Sequence, residues 1–202
     1  MSDTKTLSDS TGYKVAVIDK RAAILEATLD LISERGFHNT PMSMVVKKSG
    51  VSTGSIYHYF SSKDDLIFKL YKEIKLEMLR STMKDFTEHV SIREGFHLLW
   101  INFIEYHLDH PRRTGFVEQF ENSPYSKPSL QDAFADEITP FLIFLNRGIE
   151  EGVLKELPYQ VIAVLTFGVA VSLAKQQVAG ALVLNDEMLD AAANACWDAI
   201  AT

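Results

Sequence analysis

Between Ser52 and Lys63 the chain places Ser52, Thr53, Ser55, Tyr57, His58, Tyr59 and Lys63, a close succession of hydroxyl, imidazole and ammonium groups. Nothing near them is arranged for bond making. The chain has no Gly-rich phosphate loop, no nucleophile elbow, no His-Glu-x-x-His and no convincing carboxylate pair. Such groups are suited to donating and accepting hydrogen bonds at base edges and phosphates. Ile56 and Phe60, four apart, share the buried side of a short helix, and Tyr57, His58 and Tyr59 between them cannot all point inward. The opening Thr53-Gly54-Ser55 is poor for a helix, since Gly costs roughly 1 kcal/mol relative to Ala. Small residues there let a helix N-terminus come close to a groove, and such breaks of local rules tend to fall at functional sites. Lys63 opposes the macrodipole at the first turn of the next helix. That placement makes sense if an external anion such as a DNA phosphate sits there; the plain alternative is a solvated surface charge.

The elements that position these groups are legible over Thr40–Leu66. Thr40 can cap a first helix with Pro41 at its first position, and Val45 and Val46 supply its buried side. Ser49-Gly50-Val51 makes the turn, with Gly50 free to take the left-handed conformation that closes a helix. Ser52 caps a second helix that ends near Phe60. Ser62, with Asp65 three residues on, resembles a capping box that opens a long third helix. Two helices joined by a tight turn, the second carrying outward polar groups, form a helix-turn-helix.

Gly36-Phe37, Thr40, Val45, Gly50-Val51-Ser52, Gly54, Ile56-Tyr57-His58-Tyr59-Phe60 and Ser62-Lys63 resemble the N-terminal signature of the TetR (tetracycline-repressor-like) transcription regulators. The resemblance covers roughly a quarter of the chain with unbroken spacing. Val46 and Ser49 stand where the family usually has Ala, both at helix-packing positions. It implies an all-α fold: a three-helix DNA-binding unit, then a helical ligand-binding and dimerisation domain, about nine helices in total. The implied function is a sequence-specific DNA-binding transcriptional regulator, a repressor controlled by a small, largely apolar effector. The implied DNA-binding set is Thr40, Ser52, Thr53, Ser55, Tyr57, His58, Tyr59 and Lys63. An all-α carrier of lipids or small molecules is the alternative, and it leaves the outward Tyr57-His58-Tyr59 unexplained.

Charge supports oriented docking. Residues 20–63 hold six cations against three anions, whereas the 202-residue chain carries −7 and so −10 outside that segment. A locally basic head on an acidic body keeps the body off the phosphates. The single Cys196 excludes an internal disulfide framework and agrees with a cytoplasmic location. No signal peptide is expected, and no stretch approaches the eighteen or so unbroken apolar residues of a membrane span.

Along the chain, residues 1–18 read as a tail, with residues 15–18 held against the body, then 19–65 as the DNA-binding domain and 66–202 as the ligand-binding and dimerisation domain. Asp19 caps a helix to about Arg35, with Ile24, Leu25, Thr28, Leu29, Leu31 and Ile32 along one stripe. Helical patterning then spans Lys63 to about His89, Ile92 to His110, Arg112 to Glu121 and Ser129 to Glu151. Pro140 should kink or split the last of these. Two further helices, near Pro158–Gly180 and Asp186–Ala201, are rich in Gly and Ala and predict a four-helix homodimer interface. Packing within one subunit is the alternative.

Phe96, Trp100, Phe103 and His107 fall at steps of four, three and four on one helix face. Aromatic stripes at helical spacing are ordinarily core, but the family resemblance implies an effector pocket here. Its candidate lining is Met78, Phe96, Trp100, Phe103, His107, Phe116, Phe120, Phe134, Ile138 and Phe141. His107 has three readings: a helix C-terminal cap, a polar group inside the pocket, or a metal ligand with Asp109 and His110. No cofactor or metal is expected.

Overall fold

The computed structural model describes residues 19–126 and 133–202. The tail before residue 19 and the stretch in which a helix was expected to begin at Ser129 lie outside them. The fold is all-α: α1 Lys20–Arg35, α2 Met42–Ser49, α3 Thr53–Tyr59, α4 Lys63–Thr82, α5 Ile92–Asp109, α6 Pro111–Glu121, α7 Ala135–Glu150, α8 Tyr159–Val178 and α9 Asp186–Ile200. One isolated antiparallel bridge, Leu154 to Ala201, pins the C-terminus to the loop after α7.

Local signals set most starts and stops. The Asp19 carboxylate accepts from the amides of Arg21 and Ala22, and Gly36 closes α1 at φ 74°. Gly50 closes α2 in the left-handed conformation at φ 68°. The α2 start lies one residue later than expected: Pro41 takes the cap position, and Thr40 does not cap. Ser62 accepts from the Asp65 amide at 3.0 Å, while the Asp65 carboxylate reaches past it to the Ser61 amide at 2.8 Å. Pro111 ends α5 and is also the first residue of α6, where its missing N–H costs no helical bond.

The structure corrects the end of α4, leaves α7 unsplit at Pro140, and adds an interruption within α8. α4 stops at Thr82, not near His89, because the Asn102 side-chain amide donates to the Thr82 and Lys84 carbonyls and Asp85 turns the chain at φ 59°. α7 runs through Pro140 as one helix. Only the bond to the Asp136 carbonyl is forfeited, in the second turn. α8 is interrupted by a π turn at Val164–Gly168. There the Thr166 carbonyl accepts the Trp100 indole N–H at 3.2 Å, with the Cys196 thiol at 3.8 Å. α8 is the most apolar helix described, with mean hydropathy 1.6 over its most apolar window, yet Gln160, Thr166, Ser172 and Lys175 keep it from being an unbroken apolar run.

Two apolar cores result. The first gathers α1, α2, α3, the lower half of α4 and one face of α6 around Ile24, Ile32, Phe37, Ile56, Phe60, Leu70, Phe116 and Phe120. The second packs α5, α7, α8 and α9 around Phe96, Trp100, Ile104, Phe144, Ala170 and Trp197. α6 therefore belongs with the N-terminal helices as much as with the body.

Candidate DNA-binding face and effector cavity

α3 is anchored from beneath. Ile56 and Phe60 are fully buried, each burial contributing about 1.5–3 kcal/mol. Ser52 caps the helix, its Oγ accepting from the Ser55 amide at 3.3 Å and lying 3.0 Å from the Ser55 hydroxyl. With the inward face fixed, Thr53, Tyr57, His58 and Tyr59 stand outward, Tyr57 half exposed. The His58 and Tyr59 rings meet edge to face at 5.5 Å. A Cβ at Gly54 would meet nothing within 4 Å. The fold therefore does not require glycine there, and its flatness is available for the close approach of another molecule.

Two residues of the expected set are held differently. Thr40 is buried, and its hydroxyl donates to the Gly36 carbonyl at 2.9 Å, so its side chain secures the turn after α1 and is not free for an outside partner. The Lys63 ammonium donates to the Phe37 carbonyl at 2.6 Å. That carbonyl lies in the turn after α1, beyond helical bonding, and Lys63 satisfies it across 26 residues. An ammonium has three donors, so the bond fixes the head group without exhausting it. Of the α2 lysines, Lys48 is drawn back to Asp30 and Glu34, while Lys47 is exposed.

The body holds a cavity of about 730 Å³ between α4, α5, α6, α7 and α8. Met78, Phe103, His107, Ile138 and Phe141 of the expected set line it. Phe96, Trp100, Phe116, Phe120 and Phe134 do not. Phe96 packs on Trp197, and Trp100 is wholly buried against the π turn. The face shared by Phe96 and His107 extends about 16 Å along α5, at 1.5 Å per residue, so its two ends meet different neighbours. Phe116 and Phe120 point from α6 into the first core against Phe37, and Phe134 meets the Tyr71 ring edge to face. Thr114, Gly115 and Glu118, on the opposite side of α6, face the cavity instead.

Sequence reasoning missed the wall from α8, where Tyr159, Ala163, Phe167, Val171, Ala174 and Val178 line the cavity. Their three- and four-residue spacing was a visible signal, obscured by assigning the helix wholly to an interface. His107 lies 4.2 Å from the Phe103 ring, and its Nδ1 is 2.9 Å from the Phe103 carbonyl one turn back. Burial pushes the imidazole below its usual pKa, outweighing the help of that carbonyl. Glu121 holds Lys75 at 2.9 Å and accepts from the Tyr71 hydroxyl at 3.1 Å, while Glu118 holds Lys175 at 2.5 Å. Among the described residues, no three His, Cys, Asp or Glu side chains gather as a metal site.

Residues 24–70 match the family described as "Bacterial regulatory proteins, tetR family", and residues 91–201 match "Tetracyclin repressor-like, C-terminal domain". The chain belongs to the TetR family. It is 27% identical over 182 residues to the fatty acid metabolism regulator protein of Bacillus subtilis, covering 85% of this chain and 87% of that one. A crystal structure of a TetR family transcription regulator from Marinobacter aquaeolei superposes with a TM-score of 0.85 at 25% identity, over 90% of this chain and 95% of that one. A TetR-family regulator from Haemophilus influenzae, at 23% identity and a TM-score of 0.77, shares the fold over 91% of this chain and 97% of its own. The protein is thus a helix-turn-helix, DNA-binding transcription regulator. The family consists of regulators, not enzymes.

Proposed function

We propose that this TetR-family protein is a cytoplasmic homodimeric repressor that holds a near-palindromic operator until a small, largely apolar effector fills the cavity of the body. The observation that carries the reading is the division of labour in α6. One side of it, at Thr114, Gly115 and Glu118, borders the cavity, and the other, at Phe116 and Phe120, is embedded in the core beneath the helix-turn-helix. Arg112 of α6 pairs with Asp30 of α1, which also holds Lys48 of α2 at 3.2 Å. An effector bearing on α4 and α6 shifts the population toward one tilt of the DNA-binding unit. Half-sites one turn apart fit only recognition helices centred about 34–36 Å apart, so a changed tilt costs affinity. The B. subtilis relative, named for fatty acid metabolism, is in keeping with an apolar effector.

The dimer reading rests on α8. Only 22% of its most apolar window is buried, and Val161, Val164, Leu165 and Val169 form an exposed stripe, with Met188 of α9 also exposed. The small residues divide between two uses. Ala170, Ala174 and Ala193 pack inside the subunit, while Gly168, Ser172, Ala191 and Ala195 lie outward. A second copy of the same two helices would cover the outward stripe as a four-helix interface. The carrier alternative finds no support in a chain with a helix-turn-helix of this family.

Selection of bound sequences from random duplex DNA tests the proposal. Enrichment of an inverted repeat with half-sites 10–10.5 base pairs apart is expected. Recovery of unenriched sequence would refute it.

A further inference from the structure

We propose that the effector is an uncharged molecule with an apolar body and one hydrogen-bond donor, a hydroxyl or N–H group, that donates to Nε2 of His107. The inference rests on the reading of the cavity as an effector site, and deepens it. A carbonyl oxygen only accepts, so the 2.9 Å contact with Phe103 puts the ring proton on Nδ1. In the neutral ring Nε2 then carries a lone pair. His107 is 8% exposed, lines the cavity, and has no partner for Nε2 among the described residues. Nε2 is open to the cavity and not sealed from water, so a ligand donor there replaces a water and gains the modest net free energy of a hydrogen bond made inside the protein.

The surrounding charges select against ions. The two cavity lysines are already engaged, Lys75 by Glu121 and Lys175 by Glu118. Glu137 adds a third carboxylate, for which no ion pair forms among the described residues, so the wall carries more negative than positive charge. A carboxylate ligand would meet that surplus and would present no donor to Nε2. A cation could meet Glu137 elsewhere on the wall, but at His107 itself the charges of Lys75 and Lys175 act against added positive charge, with Glu121 opposing them. The rest of the wall, among it Met78, Phe103, Phe141 and Phe167, accepts an alkyl or aromatic body.

The test is calorimetric titration of the full chain with four probes that share a ten-carbon chain, each below its aggregation limit: 1-decanol, decyl methyl ether, decanoate and decylammonium. Decanol should bind tightest, roughly three- to tenfold better than the ether that lacks its donor. In His107→Leu that preference should vanish. Equal affinity of decanol and ether for the unaltered chain would overturn the proposal, as would decanoate or decylammonium binding as tightly as decanol. If none of the four binds, the effector-site reading itself fails, a result distinct from any ranking among probes that do bind.

Discussion

The ring of Phe120 on α6 stacks on the ring of Tyr71 on α4, with centroids 4.0 Å apart and planes within 12°. The Tyr71 hydroxyl also reaches Glu121, which borders the cavity. The helix that carries the DNA-binding unit and the helix that walls the cavity thus share one rigid contact. Offset aromatic pairs contribute about 0.5–1.5 kcal/mol beyond their area. Phe120→Leu should lower the melting temperature by several degrees and weaken the mutual antagonism of effector and operator. Linkage requires both ligands to lose the same factor. Titration of operator with and without effector measures it; an undiminished factor would place the coupling elsewhere.

Gly54→Ala separates folding from recognition. A methyl group at this position meets open space, and Ala is the better helix former by roughly 1 kcal/mol. The variant should be as stable as the parent or more so, yet bind operator more weakly. Loss of stability, or unimpaired binding, would remove Gly54 from the close approach.

Burial keeps His107 below its ordinary pKa of 6.5, with Glu121 opposing the shift and Lys75 and Lys175 reinforcing it. The unfolded chain takes up the proton first as pH falls. The stability contributed by the neutral ring is whole above about 6.5 and is lost as pH falls through the lower folded value. Melting curves from pH 7.5 to 5 should therefore fall more steeply for the parent than for His107→Leu. Parallel curves would contradict the burial argument.

Val164 and Leu165 stand outward on α8 at 69% and 38% exposure. Replacing both by Asp puts charge into the interface proposed there and should yield monomers in sedimentation, with operator affinity lost because one subunit holds one half-site. A double variant that remains dimeric would place the interface elsewhere.

The helix-turn-helix was legible because each boundary carries its own local signal: Gly36, Gly50, Ser52 and Ser62 act within a turn of themselves. What remained hidden depends on distant partners. Asn102 ends α4 from 20 residues away, and the Phe37 carbonyl claims Lys63 from 26. Helical spacing rightly put Phe96 and His107 on one face, but it carries no record of what stands opposite each end of that face. Phe116 and Phe120 are aromatic because they fasten α6 to the first core, and composition alone does not distinguish that task from lining a cavity.

The outward face of α3 is the surface proposed to read DNA sequence. Thr53 is exposed and Ser55 half-buried on that face, and a well-made base contact discriminates by about 1–3 kcal/mol. Fluorescence anisotropy of the selected operator against a scrambled duplex, at fixed salt, measures the preference for the parent and for the Thr53→Ala, Ser55→Ala double variant. The expected result is a strong preference in the parent that collapses in the variant, with affinity for scrambled DNA little changed. An identical preference in both proteins would contradict the assignment of the reading face.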